Sequence, residues 1–558
     1  MDERLWFKHY DEGVPRTLTY PEMTVADLLR KAATNFPSNP ATIFFGATMT
    51  YAQLKRDVDR FATALNALGI KQADRVAIDL PNCPQWIIAW FALQTLGATG
   101  VMTNPLYVER ELEYQWNDAN VDTVIVFDRL WNRVQKIRAN TPVKRVIVTG
   151  IQDYLPFPKN LLYPIKAKRE KIWVEVPRDG SAVFFKDLVA QNQPNPPQVK
   201  ISPDDIACLL YTGGTTGPSK GAMLTHRNIV ALVQQVHKSV LARSKDGEER
   251  MFAVLPFFHS FGLNAVMNVA VGGASAMIIH PRFDVKEVLK SIHKDRPTFF
   301  AGVPTMFIAM NQQPDVDQYD LTSLKTCFSG AAPLPVEVLE KFEQRTGARI
   351  TEGYGLTEGT VAETCNPLHG LRKIGSIGIP FPDNDIKIVD VETGTHECPV
   401  GETGELILKG PTVMQGYWNK AEETKNAIRD GWLFTGDIAK MDEDGFFFIV
   451  DRKKDMIIAG GYNVYPRDIE EVLFMHPKIL DAGVIGLPDA YRGETVKAFV
   501  VLKPGETATA EEISAFCKER LAAYKTPKVI EFRDTLPRNM IGKLLRRELR
   551  EQEVAKKA

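Results

Sequence analysis

A loop rich in glycine and hydroxyl groups and ending on a lysine is the most informative part of this sequence. Residues 211–221 read Tyr-Thr-Gly-Gly-Thr-Thr-Gly-Pro-Ser-Lys-Gly and follow the apolar run 206–210. Glycines let backbone N–H groups turn towards an anion because no Cβ stands in the way. A strand followed by such a loop predicts a site for the phosphates of a nucleotide. The candidate ligands are Thr212, Gly213, Gly214, Thr215, Thr216, Gly217 and Lys220.

This loop differs from the phosphate loop of nucleotide hydrolases, which needs Gly-x-x-x-x-Gly-Lys-Ser/Thr. Here Pro218 and Ser219 separate Gly217 from Lys220, and Gly221 follows the lysine. A surface turn can have the same composition. The loop alone therefore leaves both interpretations open.

Three further strings carry groups that suit the rest of a nucleotide. The small residues of 329–333 (Ser-Gly-Ala-Ala-Pro) would let a flat ring approach the backbone. The string 352–358 (Glu-Gly-Tyr-Gly-Leu-Thr-Glu) offers an aromatic ring for a base and a carboxylate for Mg²⁺. Asp437, at the end of a predicted strand over 432–434, is placed to accept hydrogen bonds from a ribose diol. Taken alone, each string is also an ordinary loop composition.

Together these strings resemble the motifs of the adenylate-forming superfamily, in the same order and at similar separations. The resemblance covers residues 20–550, and the joint occurrence of the motifs is very specific. The matching strings lie at 211–221, 329–333, 352–358, 435–437, 451–455, 460–466 and 537–543. Three other strings are most similar to bacterial long-chain fatty acid:CoA ligases, namely 5–8, 13–15 and 225–228.

The resemblance implies a reaction in two steps with ATP, Mg²⁺ and coenzyme A. A carboxylate attacks the α-phosphorus of ATP, releasing pyrophosphate and leaving an acyl-adenylate. The thiol of coenzyme A then attacks this anhydride and releases AMP. The first step brings two anions together, so it depends on cations and positioned donors.

The resemblance also implies roles for individual residues. Thr212–Lys220 would cradle the β- and γ-phosphates, and Thr215 and Glu358 would hold Mg²⁺. The ribose would bind Asp437 and Arg452. The other implied nucleotide-binding residues are Gly330, Ala331, Ala332, Tyr354, Gly355 and Thr357. The implied catalytic residues are Lys543, Lys220, His259 and Glu358.

Lys543 would reach the substrate carboxylate and the α-phosphate, which suits a mobile point charge on a long stem. The alternative is a solvated lysine in a basic C-terminal region. Lys543 cannot stay in the site while coenzyme A uses the same face. The family rotates its small domain about a hinge, which the match places at Lys454. Gly460 and Gly461 would then line the pantetheine channel.

The acyl site is less well defined by the sequence. His259 matches an aromatic or histidine position near the carboxylate, and a buried core histidine is the alternative. Acetate-activating relatives carry tryptophan where this chain has Gly355, so an open pocket is expected. A long chain would gain about 0.8 kcal/mol for each buried CH₂. The candidate walls are Phe257, Phe258, Leu263, Val303 and Ala331.

Three activities stay open at this point. A long-chain fatty acyl-CoA ligase is favoured by the match along the whole chain. An aryl or medium-chain acyl-CoA ligase would share every catalytic motif and differ only in pocket shape. A stand-alone adenylating module or a binding protein without turnover is disfavoured, since Lys220, Glu358 and Lys543 are all present. The sequence leaves both a monomer and a homodimer open.

The composition limits the kinds of binding partner and the cellular compartment that we expect for this protein. The net charge of −1 gives no overall field for nucleic acid. The six cysteines form no C-x-x-C pair, which is typical of a reducing cytoplasm. The charged N-terminus does not resemble a signal peptide.

Two long stretches without charge, 80–108 and 251–281, call for a choice between membrane spans and a buried core. Both are interrupted by proline, asparagine and glycine. We expect each to be a buried helix that leads into a buried strand, as in a helix-covered parallel sheet.

Alternating helix and strand patterns position these motifs and predict an α/β fold. We expect a large N-terminal domain of helix-covered sheets over residues 1–452 and a small, mobile α+β C-terminal domain over residues 453–558. The predicted helices are 24–35, 50–68, 86–96, 466–475 and 510–524, and the predicted strands include 75–80 and 123–127.

The segment 155–173 mixes apolar residues with lysines and arginine. Such a segment can lie on an anionic membrane surface. The alternative, which the sequence slightly favours, is a helix packed on the protein with its lysines in water. The resulting expectation is a cytoplasmic enzyme, with peripheral contact at the inner face of the membrane as an open possibility.

Overall fold

The protein is described by a computed structural model that covers residues 4–212, 218–459, 462–489, 493–539 and 542–557. Its α-helices are α1 (Val25–Asn35), α2 (Tyr51–Ala67), α3 (Pro84–Leu96), α4 (Glu109–Asp118), α5 (Trp131–Ile137), α6 (Lys159–Arg169), α7 (Phe185–Gln191), α8 (His226–Lys238), α9 (Val269–Gly272), α10 (Val285–Asp295), α11 (Pro304–Gln312), α12 (Val336–Thr346), α13 (Ala421–Ala427), α14 (Pro466–Phe474), α15 (Ala510–Lys518) and α16 (Arg546–Lys557). A π-helix spans Phe261–Asn268. Short 3₁₀ turns occur at Leu5–His9, Asp128–Leu130, Arg138–Asn140, Ile151–Tyr154, Val316–Gln318 and Thr357–Gly359.

The strands alternate with these helices over most of the chain. They are β1 (Pro40–Phe44), β2 (Ala47–Thr50), β3 (Arg75–Asp79), β4 (Thr99–Met102), β5 (Thr123–Phe127), β6 (Arg145–Thr149), β7 (Val183–Phe184), β8 (Ile206–Thr212), β9 (Lys220–Thr225), β10 (Arg250–Ala253), β11 (Ala276–Ile279), β12 (Phe299–Gly302), β13 (Thr326–Ser329), β14 (Arg349–Tyr354), β15 (Thr364–Cys365), β16 (Ile379–Pro380), β17 (Asp385–Val389), β18 (Gly404–Lys409), β19 (Gly416–Tyr417), β20 (Ile428–Arg429), β21 (Trp432–Met441), β22 (Phe447–Arg452), β23 (Ile457–Ala459), β24 (Tyr462–Val464), β25 (Ile479–Asp489), β26 (Gly493–Leu502) and β27 (Val529–Phe532).

Two large sheets carry the nucleotide motifs. One has the order β16-β15-β14-β13-β12-β10-β11-β1-β2, with parallel pairing from β14 through β1. The other has the order β19-β9-β8-β4-β3-β5-β6-β7, with parallel pairing from β8 through β7. Since the carboxyl ends of parallel strands share one edge of a sheet, the loops after β13 and β14 lie together at one edge of the first sheet. The loop after β8 lies at the corresponding edge of the second sheet.

Two smaller sheets complete the fold. An antiparallel sheet orders β17-β18-β21-β20, with β22 beside β21. The last sheet orders β24-β23-β26-β25, with β27 beside β26, and packs with α14 and α15 around its own apolar core. This mixed α/β architecture, with a large N-terminal part and a small C-terminal part, agrees with the predicted fold class. The boundary at 452/453 stays a prediction.

α3 is buried between the two large sheets, as predicted for the first uncharged stretch. Every residue of α3 except Thr95 is buried. The Asn82 amide, just before this helix, donates to the Leu255 carbonyl at 2.8 Å on one side, and Gln94 donates to the Ala207 carbonyl at 3.3 Å on the other. Within the described ranges, no helix combines the length and the apolar character that crossing a bilayer needs.

The predicted elements recur with shifted ends. α1 begins after Thr24, which takes part in a capping box with Asp27. α15 ends at Lys518, six residues before the predicted end at 524. The segment that follows α15 continues as turns.

Asp79, the last residue of β3, is an unusual buried acid. It is fully buried, and neither carboxylate oxygen has a hydrogen-bond partner among the described residues. Burial raises the pKa of Asp79 to about 7, against the opposing charge of Arg133. The folded protein therefore holds a proton on Asp79 that the unfolded chain releases at a lower pH.

We expect Asp79→Asn to stabilise the protein more at pH 8 than at pH 5. Between about pH 4 and about pH 7 the native state binds more protons at this site than the unfolded state, so rising pH removes stability that asparagine would keep. Thermal midpoints of both proteins at the two pH values measure the effect. The exposed Asp430→Asn serves as the control. An equal shift at both pH values would contradict the assignment.

Candidate active site

β8 and β9 form an antiparallel hairpin that frames the predicted phosphate loop. Thr212 closes β8 and pairs directly with Lys220, which opens β9. This strand–loop–strand arrangement differs from the strand–loop–helix of nucleotide hydrolases. The candidate ligands Gly213, Gly214, Thr215, Thr216 and Gly217 lie outside the described residues.

Glu358 contacts both Thr212, where this loop begins, and Tyr417 of β19, the strand that pairs with β9. The Thr212 hydroxyl donates to Glu358 Oε1 at 3.3 Å, and the Tyr417 hydroxyl donates to the same oxygen at 2.8 Å. Lys220 Nζ lies 5.1 Å from the centroid of the Tyr417 ring. The structure thus brings the predicted Thr212, Lys220 and Glu358 together.

Tyr417 is a site residue that the sequence analysis missed. It lies in the short edge strand β19, which pairs with β9 far away in sequence. Burial and the nearby Glu358 raise the pKa of Tyr417 well above its usual range, so its hydroxyl stays a neutral donor. Nothing in its local sequence separates it from an ordinary core aromatic residue.

Asp437 forms the centre of a second cluster. The Tyr354 hydroxyl donates to Asp437 Oδ2 at 2.6 Å, and Arg452 Nε lies 2.9 Å from Asp437 Oδ1. The Asp437 side chain is only 4% exposed, whereas that of Arg452 is 32% exposed. Burial, together with Asp437, raises the pKa of Tyr354 well above its usual range. Charge-assisted bonds of this kind are strong and directional.

The expected strand end at Asp437 is wrong. β21 continues to Met441, so Asp437 lies in mid-strand and pairs with Arg452 of β22. The strand register shifts opposite β18, and Gly436 adopts a positive φ of 70°. A bulge of this kind redirects a side chain in the middle of a strand. The end of a strand would have the same effect.

The small-residue loop lies beside Tyr354 because β13 and β14 are parallel neighbours. Ser329 pairs with Glu352 across these strands. Gly330 is buried, and a Cβ there would approach the Phe261 ring at 3.3 Å. Ala331 adopts a left-handed φ of 72°, and both Ala331 and Ala332 are exposed to solvent. A flat ring can therefore reach this backbone.

Gly355 has a packing reason to be glycine. A Cβ at this position would lie 1.5 Å from the Val361 carbonyl oxygen. Any side chain at Gly355 would force this turn to move. Absence of a side chain at Gly355 is therefore required by the local turn, independently of how open the acyl pocket is.

Glu363 supports the same turn and was also missed. It is fully buried, and its Oε2 accepts a hydrogen bond from the Leu356 N–H at 3.1 Å. Its Oε1 has no partner among the described residues and lies 2.0 Å from where a Cβ on Gly359 would be. Burial raises the pKa of Glu363 well above its usual range, and the charge of the nearby Glu358 adds to this shift. Thr357 and Glu358 lie in the turn that it holds.

Lys543 lies in this site although it belongs to the last part of the chain. Its carbonyl accepts from Asn539 N–H at 2.9 Å, and its own N–H donates to Asn539 Oδ1 at 2.8 Å. Gly542 packs against Thr305, where an added Cβ would approach the threonine side chain at 3.1 Å. The tight turn at Gly542, with φ of 73°, presents Lys543 to the large part of the protein.

The charges around Lys543 link it to the Asp437 cluster. Burial lowers the pKa of Lys543 to about 7; Arg452 lowers it further, and Asp437 opposes the shift. Burial and the Lys543 charge lower the pKa of His259 to about 4, so this histidine is neutral at pH 7. Lys543, His259, Asp437 and Arg452 therefore belong to one electrostatic neighbourhood.

A short polar network connects the large and small parts near residue 452. The Arg467 N–H donates to Asp451 Oδ2 at 2.8 Å, and its guanidinium donates to the Ile449 carbonyl at 2.8 Å. Burial raises the pKa of Asp451 to about 6. Lys454 is exposed beside this network. The predicted channel residues Gly460 and Gly461 lie outside the described residues.

The candidate acyl walls differ in accessibility. Phe257, Leu263 and Val303 are buried, whereas Phe258 is partly exposed and Ala331 is exposed. The Phe257 ring packs on Trp86 at 5.5 Å between centroids. This side of the site is therefore apolar and leads towards α3.

Comparisons with known proteins agree with this arrangement. Residues 29–418 match the family described as AMP-binding enzyme, and residues 468–543 match the AMP-binding enzyme C-terminal domain. The chain is 46% identical to a long-chain-fatty-acid–CoA ligase of Bacillus subtilis, over 99% of this chain and 98% of that protein. It is 38% identical to a long-chain-fatty-acid–CoA ligase of Escherichia coli, with the same coverage of 99% and 98%.

A solved structure shares the fold at lower identity. The crystal structure of an anthranilate CoA ligase in complex with anthranoyl-AMP has a TM-score of 0.84 and 27% identity, and the match covers 96% of this chain and 99% of that chain. The family match covers most of the chain, and the relatives match it from end to end. The protein therefore belongs to the AMP-binding enzymes, the adenylate-forming superfamily that its motifs resemble.

Proposed function

We propose that this enzyme joins a long-chain fatty acid to coenzyme A through an acyl-adenylate. The proposal rests on the position of Lys543: the neighbouring Gly542 packs against Thr305 of the large part, and the charges of Asp437 and Arg452 act on the lysine. The two steps of the reaction need different groups at the same place. A lysine that belongs to a separate, movable part of the chain suits such a reaction.

The long acyl chain is supported by sequence rather than by fold. Relatives that are 46% and 38% identical along the whole chain are long-chain-fatty-acid–CoA ligases. The anthranilate ligase shares the fold at 27% identity, so the fold alone is compatible with an aryl acid. The apolar side formed by Phe257 and Trp86 suits a hydrocarbon chain.

In the proposed first step, the chain's own cations offset the charge that builds up as the carboxylate approaches the α-phosphate. Lys220 and the loop after Thr212 hold the outer phosphates. Asp437 accepts from the ribose hydroxyls while Tyr354 and Arg452 keep its carboxylate in place. Lys543 donates to the carboxylate and the α-phosphate. In a site of low dielectric these contacts are stronger than in water.

The donor set around Glu358 suits Mg²⁺. Glu358 Oε1 accepts hydrogen bonds from the Thr212 and Tyr417 hydroxyls, which fix the orientation of the carboxylate. The atoms in contact with this carboxylate are therefore oxygens. Within the described ranges, no group of three His, Cys, Asp or Glu side chains could hold a metal on its own. Such a site suits an ion that keeps waters and takes phosphate oxygens. Glu358 would hold the ion together with Thr215, and bound Mg²⁺ would neutralise phosphate charge.

In the proposed second step, the small domain rotates and Lys543 leaves. The boundary lies at 452/453 and the hinge at Lys454, beside the network of Asp451 and Arg467. Gly460 and Gly461 then line the channel for coenzyme A. The charges of Asp437 and Arg452 that act on Lys543 support assigning this arrangement to the adenylate-forming step.

The proposed compartment is the cytoplasm. All six cysteines are free thiols, and all except Cys398 are buried. Unpaired cysteines are typical of a reducing compartment.

Pyrophosphate release tests the proposed activity directly. It is measured with ATP and with or without coenzyme A, on acids from acetate to oleate, plus benzoate and coumarate. We expect a rate that depends on coenzyme A and is highest on long-chain acids, because each buried CH₂ adds about 0.8 kcal/mol. A maximum on aryl or short acids would contradict the assignment of a long-chain substrate. Pyrophosphate release at the same rate with and without coenzyme A would contradict the ligase activity.

Lys543→Ala should separate the two steps. We expect formation of the acyl-adenylate to fall by roughly 10²–10³-fold or more, since a cation at the developing charge is lost. Thioester formation from supplied acyl-adenylate should be retained. The matched control is Lys518→Ala, an exposed lysine of the same small part. Equal loss of both half-reactions in Lys543→Ala would contradict the proposed division.

A further inference from the structure

α6 and the residues just before it present large apolar side chains to solvent. Phe157 is 79% exposed, Leu161 63%, Leu162 56% and Ile165 67%. Four such residues within nine positions form a concentrated apolar patch rather than scattered exposed residues. Contiguous apolar patches of this kind mark interaction sites.

The outward orientation of these residues is fixed by the inner face of the helix. Ala167 is buried, and Tyr163 is partly buried and accepts a hydrogen bond from the Arg129 guanidinium. Arg129 also lies over the Tyr163 ring, 5.9 Å from its centroid. Since Tyr163 and Ala167 are four positions apart, they share one face, and the leucines and Ile165 lie on the other.

A second segment of the chain extends the patch. Lys159 Nζ donates to the Phe45 carbonyl at 2.9 Å, which joins α6 to the turn between β1 and β2. Phe45 is 41% exposed and packs beside Phe44 and His280. We call Phe45, Phe157, Leu161, Leu162 and Ile165 the α6 surface.

Basic side chains alternate along the chain with the residues of the α6 surface. Between 157 and 171 there are five of them and one acid, Glu170, although the whole chain carries a net charge of −1. Lys166 lies 3.8 Å from Glu170, and Lys168 lies over the Trp173 ring at 5.6 Å. The basic residues are Lys159, Lys166, Lys168, Arg169 and Lys171. An apolar face with a basic border complements an anionic lipid surface.

The α6 surface lies on the same side of the molecule as the proposed active site. α6 follows the carboxyl end of β6, and Phe45 follows that of β1. Gln85 donates to the Gly150 carbonyl at 2.8 Å, next to the turn that leads to α6. The following residue, Trp86, packs on Phe257, a candidate acyl wall. A continuous set of contacts therefore connects the region below α6 with the proposed acyl site.

We infer that the α6 surface docks the protein on an anionic lipid bilayer. The five apolar side chains enter the boundary between headgroups and acyl chains, and the lysines and arginine contact lipid phosphates. The helix lies on the bilayer without crossing it. That the docked enzyme takes its acid from the bilayer rests on the proposed fatty acid activity; the docking itself does not.

Sedimentation with vesicles tests the docking. The probes are vesicles of phosphatidylcholine alone and of phosphatidylcholine with phosphatidylglycerol, mixed with the full-length protein and no substrate. We expect binding to the anionic vesicles. The variant Phe157→Ser, Leu161→Ser, Leu162→Ser, Ile165→Ser should bind them at least about tenfold more weakly, because apolar burial is lost. Lys166→Glu, Arg169→Glu should weaken binding by about fivefold for each removed charge.

Matched variants on the small part control for general effects. Met475 and Val554 are 67% and 68% exposed, and Met475→Ser, Val554→Ser should bind as the wild type does. Lys518→Glu, Lys528→Glu should behave likewise, since both lysines are exposed and belong to the small part of the chain. All variants should keep the wild-type thermal midpoint because the substituted side chains are exposed.

Three results would overturn the inference. They are no binding of the wild-type protein to anionic vesicles, equal binding of the α6 variants, and a wild-type homodimer that the serine variant dissociates, which would mean that a second copy covers the patch. Turnover adds a separate test. The serine variant should slow on oleate delivered in vesicles and keep its rate on dissolved octanoate. Inactivity on both acids in the wild-type protein would count against the proposed activity and leave the vesicle result to stand alone.

Discussion

The buried carboxylate of Asp437 is the group around which the rest of the site is organised. A carboxylate that is almost fully buried needs hydrogen-bond donors or cations, and Tyr354 and Arg452 supply them from two other strands. Because each partner comes from a different part of the chain, the contact fixes β14, β21 and β22 relative to one another.

The same neighbourhood explains why Lys543 suits a movable part. Burial and Arg452 lower the pKa of Lys543 to about 7, so the ammonium group loses its proton more readily there than in water. Bound anionic substrates would favour the charged form of Lys543. Once they leave, Lys543 would be attracted to the site less strongly. The polar network at Asp451 and Arg467 then provides the joint about which we propose that the small domain turns.

Local sequence predicted the groups that carry chemistry better than it predicted what surrounds them. Thr212, Lys220 and Glu358 meet as the motifs suggested. Tyr417 and Glu363 were missed because they act through contacts between distant segments, which no local pattern reports. The strand end expected at Asp437 is a bulge, since a strand pattern does not show where an extra residue is inserted. The composition of 155–173 suggested either contact with a membrane or a helix packed on the protein. It did not show which face α6 turns to solvent, because both faces contain apolar residues.

In the proposed mechanism, Lys543 serves the first step and must leave for the second. An added Cβ on Gly542 would lie 3.7 Å from Thr305 Cβ, close to the spacing of about 3.8 Å in disulfides. The measurement is acyl-adenylate and acyl-CoA formation by the Thr305→Cys, Gly542→Cys variant, oxidised and then reduced. We expect the oxidised enzyme to form acyl-adenylate but no acyl-CoA, and reduction to restore the second step. Acyl-CoA formation by the fully oxidised enzyme would contradict it.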